Sequence, residues 1–457
     1  MIDIFESTNR SKENPFADDF LNTEKNVKRT IDEFLTKNNN IGKGTVVGLS
    51  SPFGSGKSTF IEMSRFYIEK KETTEDKKKR YVSVYINLSK NEFHNNPLLI
   101  VLKSICRAIA NKSKDDQYIK IIIVKLIKLA LRMTAPFDTT LYLEESEQTN
   151  EKLYDKLIED DDVSKEKFLL YLEEIVENKE VVVFLDDIDR CSPNFAIKIL
   201  EQLKLYFEVL NIKFIVSYDR NQLEGFLQKR FGENIDVEGY LQKFFDYNYM
   251  FSPLNKEEFE NFINKTTLLC IKYIQLRDSK KINKIIETLM DETFEIYLKK
   301  YSLRDLQQII FRIVFGLKFL EDKGITIPPL VSSIIVLLVL IRRTDRKLYT
   351  HLYNGNIDGI DFCYNLLQDK NFNKLFERDL YIPLLAFDIK CMSTENWIDN
   401  ISSCKQKKQE KSRNLKENKT ISSDSISNKI IAPLSNINHI EEYMNTVKLC
   451  FDILEYD

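Results

Sequence analysis

The sequence predicts an α/β fold in which a mostly parallel sheet is covered by helices and is followed by an all-helical C-terminal region. Short apolar runs alternate with helical periods over the first half of the chain, which is typical of a sheet buried on both faces. After about residue 255 the strand patterns fade and helical periods take over. The chain has 12 glycines and 10 prolines in 457 residues, which also favours helices over a turn-rich β architecture.

The individual elements follow from the same patterns. Short apolar runs between polar turns predict strands at 45–49, 81–88, 181–185 and 212–218. Apolar residues at three- and four-residue spacing predict helices at 14–36, 59–69, 165–177 and 193–210, and a pair of helices within 97–128. The run 144–162 is strongly acidic, so we expect an exposed insertion there.

Composition divides the chain into four expected parts. They are a core with an N-terminal helix at 1–255, which carries an insertion at about 97–162, a helical domain at 256–404, a flexible Lys/Ser-rich linker at 405–429, and a short C-terminal helix at 430–457. Within the linker, 405–419 is rich in basic residues and has Leu415 as its single apolar residue, which is typical of a solvated tether. Contact with nucleic-acid phosphates is the alternative for this run.

Bulk properties exclude several classes of protein. The net charge of −3 gives no general attraction to nucleic acid or anionic lipid. The 7 cysteines are scattered without a C-x-x-C pair, and the 3 histidines are isolated, so we expect reduced thiols and no metal cluster. The apolar stretches 121–131 and 325–341 are short or interrupted by Pro and Ser, and the N-terminus lacks a signal-peptide pattern. We therefore expect a cytoplasmic protein that is not inserted in a membrane.

The segment Ser-Pro-Phe-Gly-Ser-Gly-Lys-Ser at 51–58 is predicted to bind phosphates. Its two glycines let the backbone curl into an anion-binding nest, and the helix that follows adds the positive end of its dipole. Lys57 is expected to reach the β- and γ-phosphates, Ser58 to ligate Mg²⁺, and Thr59 to lie near the α-phosphate. Ser51 stands where the usual pattern begins with glycine. The candidate nucleotide-binding residues of this loop are Phe53, Gly54, Ser55, Gly56, Lys57, Ser58 and Thr59.

Two adjacent acids follow the apolar run at 181–185. Asp186 comes directly after the predicted strand, where a carboxylate can hold Mg²⁺ through its water shell. Asp187 is expected to polarise a water molecule that attacks the terminal phosphate of a bound nucleoside triphosphate. Buried neighbouring acids repel each other unless a cation lies between them, so we interpret the pair as metal-dependent. A solvated acidic turn is the alternative.

The strand predicted at 212–218 ends in Ser-Tyr-Asp-Arg. In P-loop proteins with an inserted central strand, this strand lies between the loop strand and the acid strand, so that its end meets the γ-phosphate. Ser217 and Asp219 are therefore candidate phosphate sensors. A simple loop at a strand end is the alternative interpretation.

Taken together, these residues resemble the KAP family of P-loop NTPases. The run Asp-Asp-Ile-Asp-Arg-Cys-Ser-Pro is similar to that family's Asp-Asp-Leu-Asp-Arg-Cys core followed by Pro. The loop is similar to its Gly-x-Trp-Gly-Ser-Gly-Lys-Ser form, with Ser51 in place of Gly and Phe53 in place of Trp. Further matches lie at 200–204, 217–220, 240–245 and 303–306.

The resemblance implies ATP binding and hydrolysis on an additional-strand P-loop core with a helical region behind it. By this resemblance Arg304 would be a second sensor, with a surface arginine in a first helical turn as the alternative. Lys243 would contact nucleotide or acidic groups, and Arg190 would either stay in its own site or act on a neighbouring subunit. The implied partners are ATP with Mg²⁺ and companion proteins of a multi-gene system, in an oligomer or hetero-complex.

Three functional hypotheses follow. The first is an ATPase that acts as a regulated switch or motor subunit in bacterial antiphage defence. The second is a nucleotide-binding scaffold with little hydrolysis that organises partner or membrane proteins. The third, a nucleic-acid-stimulated translocase, is disfavoured because the chain is acidic and lacks a basic stripe interleaved with aromatic residues.

Overall fold

The computed structural model divides the chain into two compact units. One comprises Ser7–Pro253, and the other comprises Leu254–Asp457 with Met1–Glu6. The predicted acidic insertion at 144–162, the linker at 405–429 and the C-terminal helix at 430–457 lie outside the described residues. The structure describes residues 10–37, 44–74, 80–94, 96–113, 116–134, 165–177, 179–207, 209, 211–251, 254–277, 301–324, 335, 338–343 and 346–353.

The first unit is built on a five-stranded sheet. Its strands are β1 (Thr45–Ser50), β2 (Arg80–Asn87), β3 (Lys179–Asp186), β4 (Ile212–Tyr218) and β5 (Tyr247–Met250). They lie in the order β2-β3-β4-β1-β5, and all neighbouring strands are parallel, which confirms the predicted α/β class. β4 lies between β1 and β3, as expected for an inserted central strand.

β5 is the strand that the sequence analysis does not predict. Its four residues, Tyr-Asn-Tyr-Met, are mostly exposed at the edge of the sheet, so they lack the apolar run that marks the central strands. Its position depends on pairing with β1, from Val47 opposite Tyr247 to Ser50 opposite Met250. Strand formation there is a consequence of tertiary contact rather than of local pattern.

Helices surround the sheet and form the described elements of the second unit. The helices predicted at 59–69, at 165–177, at 193–210 and as a pair within 97–128 are present with shifted ends. In the first unit they are α1 (Glu24–Lys37), α2 (Lys57–Thr74), α3 (Leu88–Asn91), α4 (Pro97–Lys112), α5 (Gln117–Thr134), α6 (Lys165–Val176), α7 (Pro193–Tyr206), α8 (Arg220–Phe231) and α9 (Val237–Leu241). In the second unit they are α10 (Lys256–Ile274), α11 (Leu303–Asp322) and α12 (Arg346–Tyr353).

The start of α1 differs most from the expectation. Helical periodicity predicts a start near residue 14, but residues 11–23 form turns and α1 begins at Glu24. Asp19 explains the difference, because its carboxylate accepts hydrogen bonds from the backbone N–H of Glu24 (2.9 Å) and from the hydroxyl of Thr23 (3.1 Å). A side chain that takes backbone donors in this way favours a turn over an earlier helical start.

Apolar side chains cover both faces of the sheet, and β3 shows this alternation. Val181, Val183 and Leu185 pack into one core cluster, which also contains apolar residues of α4 to α7. Val182 and Phe184 pack into the other cluster, with apolar residues of α1 and α2. Because successive side chains of a strand point to opposite faces, an uninterrupted apolar run is what a strand covered on both sides requires.

One buried ion pair lies at the end of the sheet opposite the carboxyl ends of the strands. Lys213 of β4 is 1% exposed and pairs with Glu180 of β3, and its ammonium also donates to the carbonyl of Leu35 at 3.1 Å. The side chain therefore joins two strands to the last turn of α1. Removing one partner of such a pair leaves an uncompensated buried charge.

The described secondary-structure elements of the second unit are all helices. α10 and α11 both begin with a capping box, formed by Asn255 with Glu258 and by Ser302 with Asp305. Each box satisfies backbone donors that a helix start leaves unpaired. Of the helices that the structure describes, none combines the length and apolar character needed to cross a membrane.

Candidate nucleotide-binding site

The predicted phosphate loop connects β1 to α2. Gly54 and Gly56 have φ values of 77° and 96°, a region that residues with a Cβ rarely adopt. The loop is anchored where it leaves the sheet, because the backbone N–H of Ser51 donates to the carbonyl of Tyr218 at 3.1 Å. α2 begins directly after the second glycine, at Lys57, so its N-terminus opens at the loop.

Ser55 leaves one buried polar atom of the loop, its hydroxyl oxygen, without a hydrogen-bond partner among the described residues. A buried polar atom without a partner costs free energy, so native proteins rarely leave one in place without a reason. A phosphate oxygen is the ligand atom that a nest of this kind accepts.

Lys57 connects the loop to the acids at the strand ends. Its ammonium donates to the carbonyl of Ser51 at 2.6 Å and lies 3.8 Å from a carboxylate oxygen of Asp189. Burial lowers the pKa of Lys57, and the charge of nearby carboxylates partly opposes this effect. The carboxylates that act on Lys57 belong to Asp186, Asp187, Asp189 and Asp219. The two predicted halves of the site therefore lie together.

Asp186 ends β3 and is 2% exposed. Its carboxylate accepts hydrogen bonds from the hydroxyl of Ser217, at the end of β4, and from the hydroxyl of Tyr85 on β2, at 3.2 Å. Burial and the charge of Asp186 raise the pKa of Tyr85 to about 12, so the phenol stays a neutral donor. Three neighbouring strands thus hold one carboxylate in place.

Asp187 turns away from Asp186 because its backbone is left-handed, with φ 59° and ψ 34°. One carboxylate oxygen accepts a hydrogen bond from the side-chain amide of Asn87 at 2.7 Å. The other pairs with the guanidinium Nε of Arg190 at 3.1 Å. Both oxygens of the proposed water-polarising acid are therefore engaged in this structure.

Asp219 and Asp189 brace the loop against the strand ends. One oxygen of Asp219 accepts from the backbone N–H of Phe53 at 3.0 Å, and the other accepts from Asn221 in the first turn of α8. The backbone N–H of Asp219 donates in turn to Asp189 at 2.8 Å. Burial raises the pKa of Asp189, and Lys57 opposes the shift.

These contacts place residues in the site that the sequence analysis does not single out: Asp189, Tyr85 and Asn87. Asp189 is the third acid of the Asp-Asp-Ile-Asp run, so its spacing was a usable signal. Tyr85 and Asn87 lie on β2, which pairs with β3 so that Asn87 is opposite Asp186. No local pattern marks them, because their role depends on which strand lies next to β3.

The remaining predicted site residues are more exposed than Asp186. Ser58 is exposed and Thr59 half-buried in the first turn of α2. Lys243 is exposed, with its ammonium 5.3 Å from the centre of the ring of Tyr240. Arg304 is exposed in the first turn of α11, in the second unit. Nucleotide contact by these side chains stays a prediction.

Cys191, which follows the acids, has a structural role. It is buried, and its thiol donates to the carbonyl of Asp187 at 3.6 Å. Burial raises the pKa of the Cys191 thiol to about 12, so the reactive thiolate is disfavoured. This side chain stabilises the turn after β3.

Similarity to solved structures is low. The Aeropyrum pernix ORC2 protein, in ADPNP–ADP complexes, is 13% identical with a TM-score of 0.34, and the match covers 66% of this chain and 63% of that one. The Aeropyrum pernix ORC1 protein in complex with DNA is 12% identical (TM-score 0.30), over 76% of this chain and 82% of that one. The Drosophila ORC bound to DNA is 13% identical (TM-score 0.32), over 83% of this chain and 88% of that one. Among curated proteins none matches the chain.

The family comparison is specific. The model of the KAP family P-loop domain matches residues 24–315, which include the phosphate loop, the acids after β3, and Arg304 at the start of α11. This span also contains the whole parallel sheet described above. The chain therefore belongs to the KAP family of P-loop NTPases.

Proposed function

We propose that this protein binds and hydrolyses ATP with Mg²⁺ and works as a regulated switch or motor subunit. The observation that carries the proposal is the convergence of Lys57 with the acids at the ends of β3 and β4. A nest of backbone donors, a lysine and a set of carboxylates are the groups that phosphoryl transfer to water requires.

The charges of the site suit Mg²⁺. Four carboxylates act on Lys57, and among the described residues Arg190 is the further cation that pairs with one of them. A triphosphate would add more negative charge, which Mg²⁺ neutralises when it is bound. Asp186 and Ser58 would hold the ion, because Mg²⁺ in such sites keeps several waters and takes few protein ligands besides the phosphates.

Each side chain then has a defined part. Lys57 exchanges its bonds to loop carbonyls for bonds to phosphate oxygens. Ser217 and Tyr85 keep the carboxylate of Asp186 oriented through their hydroxyl groups. Asp187 polarises the attacking water and accepts its proton, once an oxygen of its carboxylate is released from Asn87 or Arg190.

The proposed setting is a bacterial antiphage system with companion proteins, in an oligomer or hetero-complex. ATP would order the helical region through Arg304, and hydrolysis would release it. We also propose a cytoplasmic location, because the described cysteines are free and buried, as suits a reducing compartment. These assignments rest on the family resemblance and on composition.

One observation favours a second candidate function, a nucleotide-binding scaffold with little hydrolysis. Both carboxylate oxygens of Asp187 are already engaged, by Asn87 and by Arg190. An acid held in this way cannot approach water with either oxygen unhindered until a ligand or a partner displaces one of these groups.

Nucleotide binding and phosphate release by the purified full chain test the proposal. Lys57→Ala should abolish nucleotide binding, and Asp187→Asn should retain binding but stall turnover. Lys103→Ala and Glu233→Gln are matched controls, because both side chains are exposed, one on α4 and the other after α8. Normal turnover by Asp187→Asn would refute the assigned base, and absence of phosphate release from the unaltered chain with its partners would favour the scaffold.

A further inference from the structure

Arg190 bridges the phosphate loop and the acid pair within one chain. Its Nε lies 3.1 Å from a carboxylate oxygen of Asp187, and its guanidinium carbon lies 4.9 Å from the centre of the Phe53 ring. The Arg190 side chain is 43% exposed, whereas that of Asp187 is 15% exposed. The guanidinium is therefore the more accessible member of the pair.

Local structure explains why the arginine folds back onto its own site. Asp187 is left-handed and is followed by a 3-10 turn at Ile188–Arg190, so the acid and the arginine are three residues apart on one turn. The backbone of Phe53 is held by Asp219 at the end of β4. Phe53 is 49% exposed, and the guanidinium lies over its ring. A cation over an aromatic face is stabilised by the negative charge of that face.

The same geometry explains the aromatic side chain at position 53. The ring lies in the loop that is expected to surround the phosphates, and it presents a flat surface on which a planar guanidinium can move while it stays in contact. An aliphatic side chain would fill space there but would offer no such attraction. Phe53 thus connects the loop to the residue that pairs with Asp187.

Electrostatics gives the arginine a better partner when nucleotide is present. In this structure it pairs with one carboxylate, in a site where further carboxylates act on Lys57. A terminal phosphate carries more negative charge than a carboxylate, and it can accept two parallel bonds from a guanidinium. The bound phosphate should therefore compete successfully with Asp187 for the arginine.

We propose that Arg190 transfers from Asp187 to the terminal phosphate of the nucleotide bound to its own chain, with the ring of Phe53 as the surface on which it turns. The exchange frees one oxygen of Asp187 to polarise water and at the same time brings positive charge to the phosphate. ATP binding would thereby activate the acid, whereas ADP would leave it held. This inference rests on the proposed ATPase function.

Affinities of the purified full chain for ADP and for a non-hydrolysable ATP analogue test the exchange. Arg190→Ala should weaken binding of the analogue by on the order of 10- to 100-fold, the effect of one hydrogen-bonded contact between charged groups, and should leave ADP binding within about twofold. Arg190→Lys should weaken binding of the analogue by less than Arg190→Ala does. Phe53→Leu should also weaken analogue binding, but by less than Arg190→Ala does. Phe53→Trp should retain analogue binding.

A second set of variants separates this role from a purely structural one. Asp187→Asn should strengthen analogue binding, because the arginine is no longer held by a carboxylate, and this gain should shrink when Arg190→Ala is also present. Equal effects of Arg190→Ala on both nucleotides, or no effect on either, would overturn the inference. If the unaltered chain bound neither nucleotide, the proposed function itself would fail.

Mixing Lys57→Ala with Arg190→Ala, at an ATP concentration at which neither variant alone releases phosphate at the normal rate, tests whether the arginine acts on its own chain. Lys57→Ala cannot use its own site, and Arg190→Ala keeps its loop. If Arg190 acts within its own chain, the mixture should release no more phosphate than the two variants do separately. Recovery of turnover on mixing would show that the arginine serves a neighbouring subunit, and the exchange proposed here would be wrong.

Discussion

Replacement of Lys57 by methionine should separate the stability of the site from its affinity for nucleotide. Methionine is similar in length to lysine, so the change removes the charge and the donors while it leaves most of the volume. In this structure the ammonium donates to the carbonyls of Ser51 (2.6 Å) and Pro52 (3.3 Å), and its ion pair with Asp189 is long, at 3.8 Å.

The expected effect on stability is small because two contributions oppose each other. Burial lowers the pKa of Lys57, which means that the folded state disfavours its charged form, and methionine removes that penalty. Loss of the donor to a buried carbonyl costs about 1–3 kcal/mol. We therefore expect the free energy of unfolding, measured in urea without nucleotide, to change by no more than about 1–2 kcal/mol.

The expected effect on affinity is large because bonds from the ammonium to charged phosphate oxygens are stronger than the bonds to neutral loop carbonyls that Lys57 gives up. Each hydrogen bond from an ammonium to a charged phosphate contributes about 1.5–3 kcal/mol, so the loss of two weakens ATP binding by roughly 100-fold or more. Titration with a fluorescent ATP analogue measures this, with Lys103→Met on the exposed face of α4 as the matched control. A loss below about tenfold would show that the loop does not bind phosphates as argued.

The pH dependence of the free energy of unfolding provides an independent check on the direction in which burial acts on charged Lys57. Because the folded-state pKa of Lys57 is lowered from 10.5, the penalty for its charge is fully present at neutral pH and disappears as the pH rises through the interval between the lowered value and 10.5. The unaltered chain should therefore gain stability relative to Lys57→Met over that interval. A relative loss of stability there would contradict the desolvation argument.

Three further predictions concern the scaffold of the site. Glu180→Gln should lower the free energy of unfolding by about 3–5 kcal/mol, because it leaves Lys213 charged and buried, whereas replacement of both partners by apolar residues should restore most of it. Gly56→Ala should cost about 1–2 kcal/mol and weaken ATP binding, because its φ of 96° strains a residue with a Cβ. Ser217→Ala should cost about 1.5–3 kcal/mol by removing the donor to Asp186, and Mg²⁺ with ATP should recover part of this loss.

Urea unfolding, with and without nucleotide, measures all three effects. For the ion pair, equal destabilisation by the single and the double replacement would contradict the buried-charge argument. Gly225, which is helical and has open space where a Cβ would lie, provides the control for Gly56, and Gly225→Ala should be neutral or stabilising. A Ser217→Ala loss that Mg²⁺ and ATP leave unchanged would place the ion away from Asp186.

The elements that the sequence predicted correctly are those whose signal is local. An apolar run is long enough to define β3, and a turn rich in glycine between a strand and a helix defines the phosphate loop. The start of α1 was wrong because a carboxylate, Asp19, takes backbone donors that periodicity alone does not weigh. β5 was missed because its exposed residues become a strand only through pairing with β1.

The sequence by itself determined which chemical groups the candidate site contains, because loop composition and the carboxylates after an apolar run are local properties. It thereby placed a lysine, glycines and paired acids in the chain. Only the tertiary structure decided which of these groups touch. The order of the strands brings Tyr85 and Asn87 of β2 to the acids, and the fold of one turn brings Arg190 back onto Asp187 and Phe53. Contacts between strands distant in sequence depend on the packing of the whole sheet, which no short pattern encodes.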